Sequence, residues 1–195
     1  MKKSLLFLIL YTSIIFSEEF YSEDFSENSF PPAGWETSGT PLDSNRWEID
    51  NASNSYNTTP PALAYHWSPS TPGNYEPYSH DMLSPSIDVS GNTSVLVFFD
   101  IALDFWGASN FTNGMTVSYN GGGDWVEILN YEISPGAGFV EINRRTESFI
   151  AEVLSGSNLQ IKFTAYGTNS YYIDDWFIDN VEVVMVAGGG AGGNN

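Results

Sequence analysis

YYIDDWFIDNVEVV, residues 171–184, decides the fold. Side chains on a β-strand alternate between two faces, so Phe177, Asp179, Val181 and Val183 share one side. Trp176, Ile178, Asn180 and Glu182 share the other. The first row is apolar except at Asp179. A carboxylate in an apolar row must find a partner, because an unpaired buried charge is too costly to keep. That partner is a set of backbone N–H groups, a cation or a metal, and which of these it is bears on function.

Working back along the chain, VLVFFDIAL at 95–103 is an apolar run rich in β-branched and aromatic residues, interrupted only by Asp100. Such a run predicts a strand covered on both faces. Segments 115–120 and 125–129 flank Gly121, Gly122, Gly123 and Asp124, the signature of a hairpin. Further strands are expected at 139–143, 147–154 and 159–165, with Leu159, Ile161 and Phe163 facing the core. Shorter ones are expected around 20–25, 46–49, 62–66 and 80–89, the last interrupted by Pro85 as an edge strand can be. In the first of these, Glu23 shares the face of Phe25 and so the predicament of Asp179. The stretch 39–78 otherwise reads as loops. No segment keeps an apolar period of 3.6 residues, and Gly, Asn and Ser punctuate about every ten residues. The expected fold is an all-β sandwich of two antiparallel sheets in a single domain.

The chain of 195 residues opens with Lys2, Lys3 and an apolar run from 5 to 16. The run is short for a membrane span and is read as a secretory signal over 1–17, with cleavage after Ser17. The folded domain then covers 18–186, and the glycine-rich 187–195 is a flexible tail or linker. No other stretch approaches spanning length, so no membrane insertion is expected after cleavage. With no cysteine, disulfides, thiol chemistry, cysteine-ligated zinc and a lipid anchor on an N-terminal cysteine are excluded. Six Lys and Arg stand against 24 Asp and Glu; without Lys2 and Lys3, four basic groups remain, a net of −20. Nucleic acid and anionic membrane surfaces are poor partners for such a chain. Divalent cations would relieve its self-repulsion.

EDFSENSFPPAGW near the start, DMLSPSIDVSG before the long apolar strand, SYNGGGDW in the hairpin and IDDWFIDNVEV at the end follow one another over residues 20–184. In that order they resemble the choice-of-anchor J domain and its relatives, the cleaved adhesin and MAM-like domains. The resemblance implies a jelly-roll sandwich, secreted from or displayed on a bacterial cell, often as one module of a larger surface assembly. It implies adhesion or the binding of an extracellular glycan or protein, and a structural calcium ion. It also brings the first and last strands together, and with them Glu23 and Asp179.

On that basis Glu23, Asp175 and Asp179 are the expected calcium ligands, with Asp174 an alternate to Asp175 and backbone carbonyls completing the shell. Asp100 and Asp104 read instead as strand-end or turn residues. Trp67, Tyr75, Tyr78 and Trp106 lie in or beside expected loops, where an aromatic face can stack on a sugar ring. Trp35, Trp47, Trp125 and Trp176 are assigned to packing. Catalysis is not expected. Jelly rolls that cleave glycans carry Glu-x-Asp-x-x-Glu, and here Asp179 and Glu182 keep the spacing while Phe177 replaces the nucleophile. His66 and His80 are the only histidines and form no HExxH motif, and no Gly-x-Ser-x-Gly elbow occurs. The leading expectation is a non-catalytic binding or adhesion module stabilised by calcium. The rivals are a ligand-free spacer or surface-layer subunit, and a glycan-directed hydrolase.

Overall fold

The computed structural model describes residues 18–41, 45–53, 59–67, 77–105, 110–136 and 142–186. The expected signal segment 1–17 and tail 187–195 lie outside them. Eleven strands form two antiparallel sheets of jelly-roll type, and the described residues contain no α-helix. One sheet runs in the order β3 (Trp47–Asp50), β4 (Ala62–His66), β11 (Ile173–Met185), β6 (Ser94–Phe105), β9 (Ile142–Glu152), with β1 (Glu19–Glu23) also paired to β11. The other runs β2 (Glu36–Thr40), β5 (Tyr78–Leu83), β10 (Gln160–Gly167), β7 (Asn113–Asn120), β8 (Val126–Ile133).

The core forms because alternate residues of both sheets are apolar. On β6, Val95, Val97, Phe99, Ile101, Leu103 and Phe105 are all buried between the sheets. Ile161, Phe163 and Ala165 of β10 face them from the second sheet. Each large side chain so buried contributes roughly 1.5–3 kcal/mol. Phe25 turns back into this core beside Trp35, which stacks on Phe163 at 6.4 Å, and Phe163 meets Phe99 edge-on at 5.3 Å. These contacts anchor the turn after β1.

The opening stretch behaves differently from its strict alternation. Asp179 pairs with Asp100 and Glu182 with Phe98, so Asn180 and Val181 of β11 together stand opposite Phe99 of β6. This β-bulge places Asn180 in the left-handed region at φ 48°. It also flips the facing of the strand. Trp176 and Ile178 before it, and Val181 and Val183 after it, all enter the main core. Phe177 lies on the opposite, outer face with Ala64 and Ala102, and Asp179 follows it there. The single row of Phe177, Asp179, Val181 and Val183 expected from period two is therefore two half-rows on opposite faces.

Asparagine tolerates the left-handed region, whereas a side chain without local hydrogen bonding is strained there by about 1 kcal/mol. Asn180→Ala is accordingly expected to be less stable than Asn180→Gly by about that amount, read from urea midpoints at equal slope. Both variants lose the amide, so their difference isolates the backbone. Equal midpoints would mean that the bulge is unstrained.

Candidate functional site

One edge of β11 is shared end to end by two strands. β4 covers residues 175–178 and β1 covers residues 181–184, apart from the irregularity near Glu19. Asp179 and Asn180 fall in the gap between them. The gap opens into a cleft of about 460 Å³, walled by Asp24 and Ser26 beyond β1 and by Thr59, Pro60 and Pro61 ahead of β4. Asp100, Arg144, Asp179 and Asn180 complete it. A second hollow of about 310 Å³ adjoins it through Asp100 and Asn180 and adds Phe98, Thr146 and Glu182.

Arg144 is the hub. Its Nε and Nη2 donate to Asp100 Oδ2 at 3.1 and 2.8 Å, and Nη2 also donates to Asp179 Oδ2 at 2.8 Å. Its Nη1 donates to Thr59 Oγ1. The pairing of β6 with β9 is itself shifted between Ile101 and Leu103, next to Arg144. Two irregular strands thus aim an arginine and a carboxylate at one point, as bulges beside functional sites commonly do. Asp100 further accepts from Thr146 Oγ1 at 2.6 Å and from Asn180 Nδ2 at 3.0 Å. The bulge supplies a donor too, since the Asn180 backbone N–H bonds Asp179 Oδ1 at 2.8 Å.

The two carboxylates sit in different electrostatic settings. Burial pushes both upward. At Asp100 the hydrogen bonds from Thr146, Asn180 and Arg144 outweigh it and hold the group below the ordinary aspartate value. At Asp179 burial prevails, helped by the nearby charge of Asp100 and opposed by its own bonds and Arg144, and the group is pushed up to about 6. The cleft therefore holds two carboxylates on one guanidinium, with the second kept ionised at neutral pH against the pull of burial.

The three residues expected to bind calcium each have a partner within the chain. The partner of Asp179 is the Arg144 guanidinium, reinforced by one backbone N–H. Asp175 sits in register with His66 and Asp104, and its Oδ1 bonds His66 Nδ1, while His66 Nε2 meets Glu48 Oε1 at 2.9 Å. Burial lowers the His66 pKa, but the bond and charge of Asp175 together with Glu48 raise it on balance. Glu23 lies opposite Val181, and its Oε1 accepts the Phe25 N–H at 2.8 Å, bracing the turn that wraps Phe25 into the core. Three carboxylates expected to share one ion thus have three separate partners. Among the described residues no group of three or more His, Cys, Asp or Glu side chains is placed to hold a metal ion.

Of the expected aromatic contacts, Trp67 is half-buried and packs edge-on against the exposed Tyr171 at 5.4 Å, beside the His66 cluster. Tyr78 is a core residue, stacked on Tyr65 at 5.7 Å with its hydroxyl on Asn113. Tyr75 and Trp106 lie outside the described residues. Trp35, Trp47 and Trp176 are buried as expected, but Trp125 is 37% exposed with Lys162 Nζ 4.4 Å from its ring centre. Asp100, expected at a strand end or turn, stands mid-strand in the cleft. Arg144 is not marked by any motif. Its signal is scarcity, since a basic residue in so acidic a chain is bound to meet carboxylates.

No protein-family model matches the chain, and no curated protein matches it. Among solved structures, its fold is similar to the K3 cleaved adhesin domain of Lys-gingipain from Porphyromonas gingivalis. The TM-score is 0.62 at 14% identity, over 87% of this chain and 99% of that one. The K1 cleaved adhesin domain of the same protein gives 0.60 at 18% identity, over 85% and 98%. TmCBM61, solved in complex with β-1,4-galactotriose, gives 0.52 at 16% identity, over 84% and 94%. These similarities are of fold. They define the chain as a jelly-roll sandwich of the kind found in cleaved adhesin and carbohydrate-binding domains. The resemblance to cleaved adhesin domains is thereby matched in architecture.

Proposed function

We propose that the chain is a non-catalytic binding module, secreted or displayed at the cell surface, and that it holds a glycan in the cleft between β1 and β4. The observation that carries this reading is Asp179. An ionised carboxylate set in a cleft at a cost to stability is the kind of group that function retains. Around it stand hydroxyls, an amide and charged groups that match the dense donors and acceptors of a sugar, and Phe98 adds an apolar surface in the adjoining hollow. The fold shared with a module solved on galactotriose supports the same ligand class.

The cleft argues against hydrolysis. A glycosidase holds the scissile bond between its two carboxylates. Here Asp100 and Asp179 both contact Arg144 Nη2, so a guanidinium occupies the space between them. Calcium has no part in the proposal, since the carboxylates that would have bound it are otherwise engaged.

Affinity electrophoresis through gels cast with galactan, xylan and other polysaccharides tests the reading, with a glycan array as survey. The expected result is retardation by at least one polysaccharide, lost in Asp100→Ala while Trp67→Ala leaves it unaltered. Migration unaffected by every glycan would leave a spacer as the better reading. Retardation lost in Trp67→Ala and kept in Asp100→Ala would move the site to the His66 end of the sheet.

A further inference from the structure

Among the described residues, the cleft and its adjoining hollow are lined by four carboxylates, Asp24, Asp100, Asp179 and Glu182, and by one cation, Arg144. Arg144 bonds two of the four. With Asp100 alone it would form a pair of zero net charge; Asp179 tips the balance to negative. Carboxylates only accept hydrogen bonds, so a ligand meets them through hydroxyl or N–H groups. An anionic ligand would need a guanidinium with charge to spare, and it would approach Asp24 and Glu182 in doing so. Like charges brought together in this way are a recognised means of rejecting a partner.

We infer that the cleft is a charge filter, which takes uncharged glycans and turns away uronic, sialylated or sulfated ones, with Asp179 setting the sign. This rests on the glycan reading above and narrows it to one chemical class. The pairing explains why a cleft with an arginine at its centre does not become an anion site. That residue type favours carboxylate and sulfate ligands only when its own fork is open to them.

The experiment compares matched polysaccharides, galactan with polygalacturonate and xylan with glucuronoxylan, by affinity electrophoresis and calorimetry at low and raised salt. The expected result is that the neutral member of a pair binds at least about tenfold more tightly, a preference that shrinks as salt screens the cleft. In Asp179→Asn the ratio of acidic to neutral affinity is expected to rise about tenfold. Binding of acidic and neutral chains alike, abolished for both by Asp100→Ala, would keep the glycan site and overturn the filter. A ratio unmoved in Asp179→Asn would overturn the role of Asp179. Binding of neither kind by the unaltered protein would overturn the glycan reading itself, and the filter with it.

Discussion

Arg144→Ala is expected to lower stability by about 3 kcal/mol, the cost of stripping one partner from a largely buried ion pair. Arg144 is 20% exposed at its side chain, Asp100 14% and Asp179 8%, so water repays little of the lost attraction. The variant leaves two carboxylates facing one another without a counter-ion, and the loss should therefore grow as pH rises through the range where both ionise. Chemical denaturation at pH 5 and pH 7.5 reads it. The triple variant Arg144→Leu, Asp100→Asn, Asp179→Asn should recover most of the loss, because it removes the charges together. Failure of that recovery would show that Arg144 acts through the space its side chain fills rather than through charge.

Asp179→Asn is expected to act in the opposite direction, raising stability by about 2 kcal/mol at pH 7.5. The folded protein holds the Asp179 proton up to about 6, against an ordinary value of 3.8. Between those values the folded state binds more protons than the unfolded one, so stability declines as pH rises through that window. The shift of roughly two units corresponds to about 3 kcal/mol, which the ionised group withholds above pH 6. Asparagine fills the same space without the charge; a part of the gain is lost because Arg144 keeps one carboxylate instead of two. Thermal melts should show the variant ahead at pH 7.5 and level with the unaltered protein at pH 4. A variant less stable at pH 7.5 would mean that the ionised pair is worth more than its burial costs. Taken with the binding measurements, a more stable but altered binder would mark Asp179 as a residue kept for recognition.

The fold was more legible than the site. Ala62–His66 matches the strand expected around 62–66, where an apolar run follows two prolines. Glu36–Thr40 is missed because its sequence, ETSGT, carries no apolar alternation, and it joins the sheet edge through backbone bonds to β5. β9 reads as two strands because Arg144, Arg145 and Thr146 interrupt the apolar pattern; Arg144 and Thr146 turn to the cleft, and Arg145 lies over the Tyr131 ring instead. The need of Asp179 for a partner follows from its neighbours, and the partner turned out to be a cation from the chain itself. Which cation does not follow, because Arg144 is 35 residues away in sequence and bonds Asp179 by reaching across β6, which separates their strands. The facing of Asp179 was also hidden. A bulge leaves a local trace only in Asn180, a residue that tolerates its backbone without requiring it.

β11 is in effect written in two reading frames joined at Asn180. Deleting that residue would merge the frames into one regular alternation, with Val181 and Val183 still in the sandwich and Glu182 still outside it, and would take the Asn180 amide and N–H from the cleft. The joint also isolates the halves from each other. The stretch before it can change its outward side chains to suit a new ligand, while the stretch after it keeps β1 zipped in place.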